Sequence, residues 1–173
     1  MEPRATYLMG CAAILGMLGA LLASCGGPAG RGDAGKGGSE AVGGGPSASS
    51  ETLALAVELD SGSYAIGEPI KMSLTVINRT AQPQVLNFPT AQRFDFVVTA
   101  AGRPVWQWSA DRMFAEVLGS ETIEPGDSLV YEAEWDQKLG DGTNPGLGAY
   151  TIRGILKALP EVASREKRFG VVD

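Results

Sequence analysis

The chain of 173 residues contains no histidine, and that absence removes most of the chemistry a small protein could perform. Without an imidazole no Ser–His or Cys–His nucleophile pair can be assembled, and no side chain titrates near neutrality or offers the commonest zinc ligand. There is no Gly-x-x-x-x-Gly-Lys phosphate loop, and no cofactor is expected. Two carboxylates about 5–10 Å apart across a cleft could hydrolyse a glycoside, but no acidic pair stands out from the rest. Glu132, Glu134 and Asp136 alternate along one segment. Because a cation cage needs about 6 to 8 oxygen ligands, they read as a solvated acidic face, and no metal site is expected. The expectation is a protein that is not an enzyme. What survives is recognition chemistry, for which Arg93, Asp95, Arg103 and Gln107 are the candidate partner-binding side chains, and the thiol chemistry of Cys25.

Cys25 follows Leu22-Ala23-Ser24 and closes an apolar run, Leu8 to Ala23, that carries no charge and is preceded by Arg4. A small-residue pair before a cysteine lets a signal peptidase approach the backbone once the thiol is acylated, and the run is short for a membrane-spanning helix, which needs about 20 residues. The N-terminus therefore resembles that of a bacterial lipoprotein precursor. The resemblance implies a signal peptide over residues 1–24, acyl chains such as palmitate on Cys25, a membrane as partner, and a lipid-anchored, extracytoplasmic place in the cell envelope, at the outer membrane or cell surface. Cys11 would leave with the signal, so the mature chain would hold no disulfide. From Cys25 to Ser50 the chain is rich in glycine and serine, with ten glycines between Gly26 and Ser50. Such a segment buries too little apolar surface to fold and reads as a flexible linker.

Residues 51–173 form one domain of ordinary size and carry 17 acidic against 11 basic side chains. An acidic surface without a basic stripe argues against nucleic acid and against electrostatic docking on a membrane. The apolar pattern has period two: Leu53, Leu55, Val57, Leu59; Ile70, Met72, Leu74, Val76; Phe94, Phe96, Val98; Leu129, Tyr131, Ala133, Trp135. Such alternation is that of half-buried strands. Further strands are expected at Gln84 to Phe88, Pro104 to Ser109, Ala149 to Lys157 and Glu166 to Val172, with Gly, Pro, Asn and Asp turns between them. About eight short antiparallel strands predict an all-β, two-sheet, immunoglobulin-like sandwich. Met113 with Val117, and Phe114 with Leu118, are four apart and predict at most two helical turns over Asp111 to Leu118. Pro145-Gly146 ahead of Tyr150 suggests a tyrosine corner, a phenol bonded back to loop backbone. Trp106 and Trp108 should share the core face of their strand, beside Phe94 and Phe96. Arg93 and Asp95 should lie on the opposite face, within cross-strand reach of Gln107 or Ser109.

These residues carry a second resemblance. The run Phe88 to Val98 with its Gln92-Arg93-Phe94-Asp95-Phe96, then Gly102, Val105-Trp106-Gln107-Trp108-Ser109, Phe114, Pro125-Gly126, Trp135-Asp136 and Pro145-Gly146 with Tyr150, is similar to the BsuPI-like intracellular proteinase inhibitor family, from about Leu53 to Val171. The resemblance implies an immunoglobulin-like sandwich with Phe94, Phe96, Trp106, Trp108, Phe114, Trp135 and Tyr150 as its motif residues. It also implies inhibition of a subtilisin-type serine proteinase, which the export signal would place outside the cytoplasm. The alternative is a non-inhibitory structural or accessory envelope module that binds a protein or polymer.

Overall fold

The computed structural model of the chain describes residues 6–7 and 52–173. Its strands are β1 (Thr6–Tyr7), β2 (Leu53–Leu59), β3 (Ser63–Ala65), β4 (Ile70–Asn78), β5 (Gln84–Phe88), β6 (Phe94–Ala100), β7 (Arg103–Gln107), β8 (Gly119–Ile123), β9 (Ser128–Trp135), β10 (Gly148–Leu156), β11 (Val162–Ala163) and β12 (Lys167–Val172). One sheet has the order β1-β9-β4-β2; the other runs β3-β12-β10-β6-β7, with β11 also on β10; β5 and β8 form a separate two-stranded ribbon. Every pairing is antiparallel except β12 with β3. The expected all-β sandwich is what the chain forms.

The period-two segments become strands because each has a partner sheet to bury one face against. On β4, Ile70, Met72, Leu74 and Val76 are buried while Lys71 is exposed, and β9 repeats the pattern with Leu129, Tyr131 and Trp135. The sheets meet across aromatic pairs: Phe94 stacks on Tyr131 with ring centroids 5.0 Å apart, and Trp106 on Trp135 at 5.5 Å. At Gly154 of β10 the two sheets come close together. A Cβ there would stand 2.8 Å from Leu74 Cδ1 and 2.9 Å from Val57 Cγ2, so only glycine lets β10 cross β4 and β2 at this depth. The ribbon adds Leu86, Phe88 and Ile123 to the same core.

Turn chemistry follows the sequence. The β6–β7 hairpin closes through Ala101 and Gly102, both at positive φ (49° and 77°), as a two-residue hairpin with a primed turn requires. Tyr150 donates its hydroxyl to the Gly146 carbonyl at 2.5 Å, the corner contact its spacing suggested. Tyr64 donates to Asp60 Oδ1 at 2.5 Å, and burial together with that bond pushes its phenol up to about 12. Asn78 is fully buried, its amide donating to the Gln82 and Ile123 carbonyls.

The helical expectation over Asp111 to Leu118 is corrected. No helix occurs among the described residues. Arg112 to Leu118 runs without helix, turn or bend into β8, leaving Met113 99% exposed, Val117 61% and Leu118 83%. A four-residue spacing yields a helix only when its apolar stripe has a surface to cover, and here only Phe114 finds one. The residues of the expected signal peptide other than 6 and 7, Cys25 and the expected linker lie outside the described residues.

Candidate functional site

The sequence candidates gather unequally on the β6–β7 hairpin. Arg93 enters β6, Asp95 sits in its first turn of pleat, and Gln107 ends β7. Arg103 stands exposed at the other end of the hairpin, paired with Ala100. Six residues of β6 separate the two ends, or about 20 Å of strand. Three of the four candidates therefore share one end of the sandwich, and Arg103 does not belong to it.

Asp95 is not a surface residue. It is 1% exposed, although alternation with Phe94 and Phe96 puts it on the outer side of its sheet. The segment after β7 folds over it: Ser109 donates its backbone N–H to Oδ1 at 3.1 Å and its hydroxyl to Oδ2 at 2.6 Å, and Gln107 Nε2 donates to Oδ2 at 2.6 Å. The Phe96 N–H adds a further bond to Oδ1 at 2.9 Å. A carboxylate holding four donors with no solvent access is a fastener for the chain reversal at Ser109, so the expectation that Asp95 faces a partner is corrected. Gln107 remains exposed, but its amide is committed to Asp95 and to Ser109 Oγ, at 2.9 Å.

Arg93 is similarly committed. Its Nε donates to Glu121 Oε1 at 2.7 Å, its Nη1 to the Thr90 carbonyl at 2.8 Å, and its guanidinium lies 4.4 Å from the centre of the Phe88 ring. The guanidinium can lie flat against β8 because residue 119 is glycine, where a Cβ would come within 2.6 Å of Nη2. Its side chain is 28% exposed. The outer edge of that plane is what a partner could touch.

Trp108, just beyond β7, is the hub of this end. It packs on Phe94 at 4.3 Å and on Phe114 at 5.9 Å, and Arg112 covers its ring at 4.2 Å while donating Nε to the Trp108 carbonyl at 3.0 Å. Trp106 is half-buried and stacks on Trp135, whose Nε1 donates to the Lys138 carbonyl. Phe96 meets Phe94 edge to face, and Tyr150 stacks on Phe169. The motif aromatics are thus core and support. Sequence reasoning passed over two parts of this arrangement. One is Arg112, whose four-residue distance from Trp108 was the available signal. The other is the segment Met113 to Leu118, tied by the Ala91 N–H to the Ala115 carbonyl at 2.9 Å, for which spacing gave the wrong element.

Elsewhere, a furrow of about 570 Å³ on the outer face of β2, β4 and β9 is lined by Glu58, Asp60, Lys71, Glu132 and Glu134. No group of three or more acidic or thiol side chains poised for a metal ion occurs among the described residues, and no described helix is long and apolar enough to cross a membrane.

No curated protein matches the chain. Among solved structures it is similar to an alkylpurine DNA glycosylase of Pseudomonas fluorescens (11% identity, TM-score 0.45, 70% of this chain and 31% of that one). It is also similar to the sporulation control protein Spo0M of Bacillus subtilis (16% identity, TM-score 0.44, 70% and 50%). A third likeness is to a CARDB domain of Pyrococcus furiosus (13% identity, TM-score 0.39, 69% and 87%). The chain spans about a third of the first of these and half of the second. The BsuPI family model, described as intracellular proteinase inhibitor, matches residues 57–161. That description corrects the expected extracytoplasmic location, which rested on the N-terminal pattern alone: the family is an intracellular one. It is also a family of inhibitors rather than of enzymes. With the match covering more than half of its length and the whole of the hairpin described above, the chain belongs to the BsuPI intracellular proteinase inhibitor family.

Proposed function

We propose that the domain inhibits a subtilisin-type serine proteinase by reversible protein–protein docking, without chemistry of its own. The observation that carries this reading is the family match over residues 57–161. The histidine-free composition agrees with it. The end of the sandwich formed by the Thr90–Arg93 turn and the residues following β7 is the surface that fits such a role. It presents Arg93 and Gln107 in fixed poses, and rigid side chains lose little entropy on binding. A standard interface buries about 800 Å² per partner, which one end of so small a sandwich can supply. Arg103, at the far end, lies outside it.

The test is titration of the full chain into purified subtilisin with a chromogenic peptide substrate, followed by related serine proteinases. Reversible, stoichiometric inhibition is expected. A folded chain that inhibits none of them at micromolar concentration would overturn the reading and leave a non-inhibitory binding module.

A further inference from the structure

We propose that the segment Arg112 to Leu118 is the part of the domain that enters the proteinase's substrate groove, with Met113 filling an apolar specificity pocket. The proposal rests on the inhibitory reading above and assigns its contact surface. Its basis is an opposition between exposure and restraint. Large apolar side chains on a soluble domain are normally covered, and contiguous exposed ones mark interaction sites. Met113, Val117 and Leu118 occupy one short stretch and are the three most exposed large apolar residues of the domain.

A segment left exposed for want of packing would hang free. This one is fastened on both sides of its most exposed residue. Arg112 is held by the Trp108 ring and carbonyl, Phe114 rests on Trp108, and the Ala115 carbonyl accepts from Ala91. Met113 therefore projects from a backbone whose neighbours are anchored to the core through Phe94. Seven residues without a turn or bend reach about 20 Å, enough to lie along a groove built for an extended peptide. Sheet-like backbone pairing supplies affinity in such complexes, and side-chain pockets supply selectivity. An unbranched, polarizable thioether suits an apolar pocket of imperfect shape. The occupant is accordingly a proteinase whose specificity pocket is apolar, as opposed to one floored by a carboxylate.

The experiment compares wild-type chain, Met113→Asp and Arg103→Glu as inhibitors of subtilisin, with thermal melts of each. Met113 is fully exposed, so its replacement leaves the melt unchanged. The expected result is a rise of about 100-fold or more in the inhibition constant for Met113→Asp, the size of a central hot spot, with Arg103→Glu within about threefold of wild type. Met113→Asp inhibiting within about threefold of wild type, or Arg103→Glu losing as much as Met113→Asp, would overturn the assignment while leaving the inhibitory function standing. A wild-type chain that inhibits no serine proteinase would overturn both.

Discussion

Replacing Asp95 tests whether the end of the hairpin is a fastener or an open recognition surface. Asp95→Ala removes an acceptor for four donors: the backbone N–H groups of Phe96 and Ser109, the Ser109 hydroxyl and the Gln107 amide. The Gln107 amide and Ser109 hydroxyl lie near solvent and can find water, so their loss is cheap. The buried Phe96 N–H cannot, and an unsatisfied buried donor costs about 1–3 kcal/mol. Loss of the charged partner and the cavity left at a site 1% exposed bring the total to about 3–5 kcal/mol. For a domain of this size each kcal/mol moves the midpoint by about 3–5 °C, so the melt should fall by about 10–20 °C. Asp95→Asn keeps one carboxyl-like oxygen and the same shape. With the Ser109 hydroxyl free to rotate and accept from the new amide, it should cost about 1–2 kcal/mol. Calorimetry of wild type and both variants measures the series. If Asp95→Ala melts within a degree or two of wild type, the carboxylate is not holding the Ser109 reversal, and the rigidity claimed for this end fails with it.

Two other expectations follow from the packing and from Tyr64. Gly154→Ala drives a methyl into Leu74 and Val57 at under 3 Å and should destabilise the domain by about 1–3 kcal/mol, read as a lower urea midpoint; a neutral or stabilising result would mean that the sheets lie further apart. Tyr64 keeps its proton to about pH 12 when folded, against the ordinary 10.0. The unfolded chain then holds fewer protons between those values, and stability falls across that window as pH rises. Tyr64→Phe should start lower, having lost the Asp60 bond, and lose less stability on the alkaline side; parallel curves would refute the assignment.

The strands were legible wherever one face is buried by a partner sheet, because alternation then repeats over enough residues to be seen. That holds for Leu53–Leu59, Ile70–Asn78, Phe94–Ala100 and Ser128–Trp135. It failed for Gly119–Ile123, where Ile123 is the one fully buried side chain and the other positions are small or polar, and for the three-residue strand Ser63–Ala65. Asp95 was assigned to the right side of its strand and the wrong environment. Direction is local, whereas cover comes from Ser109, fourteen residues away. Gln137 gave no signal at all. It is fully buried at a φ of 56°, with its amide bonded to the carbonyls of Ala65 and Glu68 about seventy residues earlier, and nothing around Gln137 in sequence announces that partner. The site suffered most from this limit, because its geometry is made almost wholly of contacts between the turn before β6 and the chain after β7.

An inhibitor of the kind proposed faces a conflict that the packing around residues 112–118 would resolve. A segment that resembles substrate is bound and cut if it is pliable, and is bound and kept if its backbone resists the distortion that cleavage demands. Cross-links often supply that resistance in small secreted domains, but both cysteines of this chain precede residue 26, so none can brace residues 112–118. Here Trp108 takes the role. Its ring contacts Phe94 below, Phe114 beside it and Arg112 above, which places two of the seven residues of the segment directly on the aromatic core. Phe94 in turn stacks on Tyr131 of the opposite sheet, so displacing Arg112 or Phe114 disturbs contacts that hold the two sheets together. At Met113 and from Glu116 onward, where side chains would reach the proposed partner, the exposed apolar residues Met113, Val117 and Leu118 fall between the anchors and beyond them.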